Sequence, residues 1–339
     1  MELWYPKRVY VEPGALDYPL GKALYQRFRA DRLPITMIPG HNRVLGVPGR
    51  TTREAYREGK ETLVIGVKRT FDLESCRPSA DFQFPLVTGC PAYCQYCYLQ
   101  SSLGRKPYVR VYANVDEILD GVGRQIKERA PHITSFEAAS TSDPLAVEHL
   151  TGSLRQAIQF FGRQKHGLLR FVTKFTNVDD LLTADHHGHT RFRFSVNPPR
   201  VITAFEHRTP PLDERIAAAK KVAAAGYPLG FLVAPLFIYD GWHRDYHALV
   251  GRLAAELPQV ADLTFELIQF RFTRRSKDII LDRFPNTALD LDEGARQVKH
   301  GKYGQTKFIY PDEEAEALKA YLTAEIQRFF PASRVLYFT

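Results

Sequence analysis

Cysteine is scarce, four in 339 residues. That is too few to staple a secreted fold, so any clustering among them calls for a chemical explanation. An unbroken apolar span is also missing. The longest apolar run, 222–239, is interrupted by Gly226, Pro228, Gly230 and Pro235. Those breakers read as a helix end, a turn, a buried strand and a second turn, not as a membrane span. Residues 1–8 carry an early acid and no apolar stretch behind their positive charges. That is not a signal-peptide pattern, and the expected location is the cytoplasm. No internal repeat or low-complexity tract is visible. What is there is ordinary: 44% hydrophobic, 25% charged and 12% aromatic residues, which excludes disordered and fibrous classes. The excess of 46 Lys+Arg over 38 Asp+Glu gives +8, which suits a polyanionic partner without requiring one.

From Phe84 onward, β-rich runs alternate with amphipathic helical patterns. Strands are expected at 84–88, 133–138, 168–174, 191–196, 229–234 and 263–268, and helices at 115–129, 145–163, 178–182, 212–225 and 246–256. Asn114, Ser142 and Asn177 sit where N-caps would start three of them. Such alternation builds βαβ units and a parallel sheet, either a partial (β/α)6 barrel or a doubly wound sheet. In both, chemistry is expected at the carboxyl ends of the strands. Residues 1–83 read as a separate, net-basic N-terminal part. Residues 269–339 follow the last strand and contain one amphipathic helix, 313–330.

Three of the four cysteines fall within eight residues: Cys90, Cys94 and Cys97, directly after the first expected strand. A structural zinc takes four closed ligands, and no His or fourth Cys stands nearby at the usual spacing. Three thiolates leave one corner of a cubane iron–sulfur cluster open to an outside ligand. A zinc knot or a chance grouping of thiols is the bland alternative.

The spacing Cys-x3-Cys-x2-Cys, with Tyr96 before the last Cys, resembles the radical S-adenosylmethionine superfamily. Beyond it, the 90–99 loop with Tyr96 and Tyr98, and Glu-Ala-Ala-Ser-Thr-Ser-Asp-Pro at 137–144, resemble the spore photoproduct lyase family over essentially the whole chain. The resemblance implies an α/β fold, a partial (β/α)6 TIM-like barrel with N- and C-terminal additions: 1–83 packing on the barrel, 84–268 the barrel, 269–339 a C-terminal region with a DNA-binding loop. It implies a four-iron, four-sulfur cluster on Cys90, Cys94 and Cys97 that chelates S-adenosylmethionine, and an electron donor such as flavodoxin or ferredoxin. It also implies repair of the thymine-dimer lesion 5-thyminyl-5,6-dihydrothymine in DNA by a 5′-deoxyadenosyl radical. In the family a cysteine quenches the resulting thymine methyl radical, and Tyr96 and Tyr98 match tyrosines that return the radical to the cofactor.

One departure matters: where the family carries that cysteine, this chain has Ser140. A hydroxyl O–H is much stronger than a thiol S–H, so serine is a poor hydrogen-atom donor. The simplest reading is a substitution introduced to stall the last step; the other is natural variation with a different donor. Cys76, the only other thiol, is then the obvious candidate, although isolated cysteines usually serve as small buried hydrophobes.

Strand-end position picks the cofactor contacts: Ser142 and Asp143, Lys174, Ser195 and Asn197, and Ala234. Lys174 suits the methionine carboxylate, and Ser142 or Ser195 the ribose hydroxyls or the amino group. The bland reading is helix capping or strand termination. For DNA, Arg271, Arg274, Arg275 and Lys277 form a basic run to track phosphates. The stretch 300–308, with Lys302, Tyr303 and Lys307, reads as a loop or hairpin able to enter the minor groove. A solvated basic face is the alternative. Because the lesion joins adjacent thymines, both bases must leave the stack together. The tract Asp185-His186-His187-Gly188-His189 reads as a surface loop more than a metal site. Two competing functions remain: a radical enzyme acting on a small molecule or RNA, and a non-enzymatic DNA binder with a structural metal.

Overall fold

The computed structural model describes residues 2–42, 44–257, 260–300 and 306–339. The chain divides into two compact units. One holds Met1–Ala92 with Ser102–Arg191, the other Tyr93–Ser101 with Phe192–Thr339. The fold class is α/β, that of the partial (β/α)6 barrel.

In the first unit the barrel strands are Ala80–Phe84, Thr134–Ala138 and Gly167–Thr173, all parallel, with Phe82 opposite Phe136 and Leu169 opposite Phe136 on its other side. An antiparallel edge strand, Glu74–Cys76, precedes them. The first strand therefore lies earlier than the expected 84–88. Pro85 has no N–H to continue a ladder, and Val87–Thr88 joins a different sheet beside Val109–Tyr112. That second sheet has five strands in the order Ile35–Met37, Arg8–Val11, Thr62–Gly66, Val109–Tyr112, Val87–Thr88, parallel except for the last.

Side chains alternate along the barrel strands. Phe84 and Phe136 face the Ser153–Gly162 helix, Phe84 stacking on Phe161 at 6.0 Å and Phe136 meeting it tilted at 5.6 Å. Glu137 faces the other way, accepting from Ser79 Oγ at 2.8 Å, with Arg170 at 3.9 Å. That helix buries Leu154, Ala157, Ile158 and Phe161, and each large apolar chain contributes roughly 1.5–3 kcal/mol. The expected helix 145–163 is broken: Gly152 takes φ +61°, a conformation that suits glycine, and Pro144–Val147 is a 3-10 turn.

The second unit supplies Thr190–Val196, Leu229–Leu236 and Thr264–Gln269, the first of these entering from the unit boundary. Phe194 pairs with Phe231, Phe231 with Phe265, and a further parallel strand, Arg334–Phe338, extends the edge. Their polar face carries a buried pair, Arg193 to Glu266 at 2.6 Å, with Tyr337 donating to the same carboxylate at 2.6 Å. Gln297–His300 and Thr306–Ile309 pair antiparallel, the arms of the expected hairpin. Its tip, including Lys302 and Tyr303, lies outside the described residues. The terminal helix is Asp312–Phe329. Among the described residues no helix is long and apolar enough to cross a membrane.

Candidate functional site

The first unit fixes the start of the cysteine loop. Gly89 takes φ +77°, and a Cβ there would meet the Tyr108 carbonyl oxygen at 2.2 Å, so only glycine fits. Its N–H donates to the Thr141 carbonyl at 2.9 Å, and its carbonyl accepts from Ser142 Oγ. The turn carrying Ser140 is thereby tied to the residue before Cys90. Ala139, at φ +55°, and the bond from Ser142 N–H to the Ala139 carbonyl, 2.8 Å, shape that turn. Ser142 is thus not the expected N-cap: its hydroxyl goes to Gly89, and Asp143 holds the cap position. Asn177 is not a cap either, since its Nδ2 donates to the Leu145 carbonyl at 2.9 Å. Asn114 does hold a cap position, but its side chain grips Lys68 N–H and carbonyl at 2.8 and 2.7 Å.

Asp143 is buried and accepts from Thr173 Oγ1 and Lys174 N–H, both at 2.8 Å. Burial pushes its carboxyl up to about 6 against those bonds. It clamps the carboxyl end of the third barrel strand, where Lys174 is half-buried. Cys76 stands opposite Ala80, at the amino end of the first barrel strand. Ser140 lies in the turn past the carboxyl end of the second, Thr134–Ala138.

The second unit holds the rest of the loop. Gln95 N–H donates to the Phe205 carbonyl at 2.9 Å, and its Nε2 to the Ala204 carbonyl at 3.1 Å. Cys94 pairs with Glu206 in a short antiparallel ribbon. Gln100 Nε2 donates to the Cys94 and Gln95 carbonyls at 3.0 and 2.7 Å, and buried Arg283 holds the Gln100 carbonyl at 3.1 Å. Tyr96 donates to Glu206 Oε1 at 2.5 Å; burial first, then the Glu206 charge, hold its phenol well above the ordinary value. Arg215 meets Glu206 Oε2 at 2.7 Å and donates to the Ser195 carbonyl at 3.0 Å. Asn197 Nδ2 reaches Glu206 Oε1 at 3.3 Å, whereas its buried Oδ1 accepts nothing among the described residues. Tyr98 is 60% exposed. Ala234 is half-buried on the fifth strand.

All four cysteines are free of disulfides. Among the described residues no three His, Cys, Asp or Glu side chains converge as one metal ion requires. A cubane does not ask for that, because each thiolate binds a different iron. The donor set is soft thiol, which fits an iron–sulfur cluster. In the first unit Lys60 sets a buried cation on the Cys90 carbonyl.

The residues expected to face DNA divide. Arg271 and Arg275 are exposed. Arg274 and Lys277 both reach Glu293, at 2.9 and 3.2 Å, an acid outside the run that the sequence reading did not associate with it. Burial and then the charges of Arg271 and Lys299 lower the Lys307 pKa, which marks a concentrated positive patch. Glu206, Arg215, Gln95, Gln100, Arg283 and Lys60 were not singled out from sequence, and no spacing announces them.

A parallel α/β partial barrel with a three-cysteine loop after its first strand defines a radical S-adenosylmethionine enzyme. The spore photoproduct lyase family model matches residues 4–339. A spore photoproduct lyase of Geobacillus sp. (strain Y412MC61) is 52% identical over 341 residues, covering 100% of both chains. A solved spore photoproduct lyase complexed with dinucleoside spore photoproduct superposes with TM-score 0.98 at 51% identity, covering 100% of each chain. A double mutant with bound AdoMet and dinucleoside spore photoproduct gives TM-score 0.98 at 52% identity, again over 100% of both. The chain belongs to the spore photoproduct lyase family.

Proposed function

We infer that this chain is a DNA-repair lyase that returns 5-thyminyl-5,6-dihydrothymine to two thymines by a 5′-deoxyadenosyl radical mechanism. The observation that supports the reading is the pair of hydrogen bonds between Gly89 and the 141–142 segment, which ties the turn carrying Ser140 to the residue before Cys90. Cys90, Cys94 and Cys97 would hold a four-iron, four-sulfur cluster, which when loaded with S-adenosylmethionine supplies the one-electron chemistry. Asn197 and Ser195, with Ser142, Lys174, Asp143 and Ala234, orient that cofactor: Asn197 Oδ1 as acceptor, Lys174 as the cation for a carboxylate, and Asp143 by holding the strand end beneath Lys174.

Tyr96 is kept protonated by its surroundings and serves with Tyr98 to return the radical. Ser140 occupies the hydrogen-donor position and impairs the last transfer, because its O–H is too strong to give up a hydrogen atom readily. Arg271, Arg275 and Lys307, with Lys302 and Tyr303 from the sequence between the two arms, face the phosphates, and Arg274 and Lys277 support them through Glu293. The functional division follows 1–83, 84–268 and 269–339, with the first barrel strand, Ala80–Phe84, straddling the first boundary. Flavodoxin or ferredoxin suits as reductant, and the bacterial cytoplasm, in spore core or germinating cell, as location. The test is anaerobic incubation of reconstituted protein with the dinucleotide lesion, followed by mass spectrometry. Consumption of lesion with formation of 5′-deoxyadenosine supports the reading; an untouched lesion with intact cofactor, at full iron content, overturns it.

A further inference from the structure

Lys60 ends the Thr52–Lys60 helix, and its side chain is 2% exposed. Its ammonium donates to the Cys90 carbonyl at 2.6 Å and stands 5.3 Å from the centre of the Tyr56 ring. Among the described residues no carboxylate pairs with it. The acids adjoining it in sequence are engaged elsewhere, Glu58 with Arg8 and Glu61 with Lys7, each at 2.6 Å. A buried cation normally brings an anion with it, since a desolvated lone charge is costly. A carbonyl dipole and a ring quadrupole soften that cost but do not cancel a full charge.

We propose that Lys60 is the counter-charge of the iron–sulfur cluster held at Cys90, and that it raises the cluster's reduction potential. The inference rests on the reading of Cys90 as a cluster ligand. Covalent geometry keeps a cysteine sulfur within about 3–5 Å of its own carbonyl oxygen. An ammonium on that oxygen therefore acts on the thiolate at short range, in an interior that salt barely screens. Three thiolates give the site negative charge and reduction adds one more, so a fixed positive charge favours the reduced form.

The experiment compares three variants after anaerobic reconstitution, with a reductive titration followed by electron paramagnetic resonance. Lys60→Met removes charge and hydrogen bond, Lys60→Gln removes the charge but keeps a donor, and Lys60→Arg keeps the charge. Met and Gln should each shift the reduction equilibrium about tenfold toward the oxidised cluster, 59 mV for one electron. Arg should stay within about threefold of the unaltered chain, since charge is what counts. An unchanged potential in Lys60→Met at full iron content overturns the proposal. So does a shift in Met that is absent in Gln, because the hydrogen bond alone then accounts for it. A second readout needs no iron: thermal unfolding of the metal-free protein should show an unchanged or raised midpoint in Met and Gln, as a lone buried charge is gone. Lower midpoints in both would make Lys60 a structural strut. If the unaltered chain takes up no iron, the cysteine reading fails and this proposal with it. If that chain loads four irons and only the Lys60 shifts are missing, the cysteine reading stands and this proposal alone falls.

Discussion

Tyr96 and Glu206 are 110 residues apart in the chain, yet the phenol donates to the carboxylate at 2.5 Å. Arg215 holds the other oxygen at 2.7 Å, with both side chains fully buried. Breaking such a pair from one side leaves a charge stranded in the interior, which costs about 3–5 kcal/mol. Glu206→Gln should therefore lower stability by that order, with a parallel loss in Arg215→Met, both read from denaturant melts of metal-free protein. A loss under about 1 kcal/mol, the scale of an exposed pair, would make the network marginal to the fold.

Ser140 should impair only the end of the reaction. Hydrogen abstraction from the lesion and breakage of its methylene bridge precede the thiol-dependent step, so 5′-deoxyadenosine should form. The thymine methyl radical should then take hydrogen from buffer or add to dithionite, giving adducted thymine and poor turnover. Ser140→Cys should restore clean thymine. Cys76, opposite Ala80 at the amino end of the first barrel strand, should be replaceable by Ala with no change in products. Clean, rapid repair by this chain that Cys76→Ala abolishes would transfer the donor role to Cys76.

On the basic face, the cations that pair with Glu293 should behave differently from Arg271 and Lys307. Arg271→Ala with Lys307→Ala should weaken binding of lesion-containing duplex and reduce the salt slope by up to about two counterions. Arg274→Ala should change the slope less, because Glu293 already balances that guanidinium at 2.9 Å. Equal effects on the slope would place the phosphates along the Arg274–Arg283 helix instead.

Glu148 should give the fold a pH dependence of its own. Its carboxylate accepts from Leu154 and Arg155 N–H, both at 2.8 Å, and burial still pushes its pKa up to about 7. The folded chain thus holds this proton more tightly than the unfolded one. Its stabilising contribution is complete below about pH 4.5, the ordinary glutamate range, and is lost as pH rises through about 7. Between pH 5 and 8 the unaltered chain should lose up to about 3 kcal/mol that Glu148→Gln does not lose. Comparing the two cancels Asp143, which titrates in the same direction. Parallel pH profiles would contradict the assignment.

Period and spacing carried a good deal of this molecule. The helix at Val115–Arg129 and five of the six barrel strands fall within two residues of their expected bounds, because alternation and apolar runs are local properties. The first strand did not, since Pro85 divides an apolar run between two sheets and nothing local says which half belongs to the barrel. Ser142 and Asn177 have cap chemistry one residue before the observed caps, Asp143 and Val178, and tertiary carbonyls at Gly89 and Leu145 took their side chains. The cysteines were legible because their clustering within eight residues is local to the sequence. Glu206 was not, because a partner 110 residues away leaves no mark around Tyr96.

That separation bears on how the protein is made. The segment Tyr93–Ser101 leaves the ribosome long before what holds it: Glu206 follows Tyr96 by 110 residues, Arg283 follows Gln100 by 183 and Thr287 follows Gln95 by 192. At about 5–20 residues per second the last of these contacts waits roughly ten to forty seconds. Throughout that interval Cys94 and Cys97 are on a nascent stretch without its final frame. Whatever those thiols bind meets a completed frame only after Thr287 has emerged.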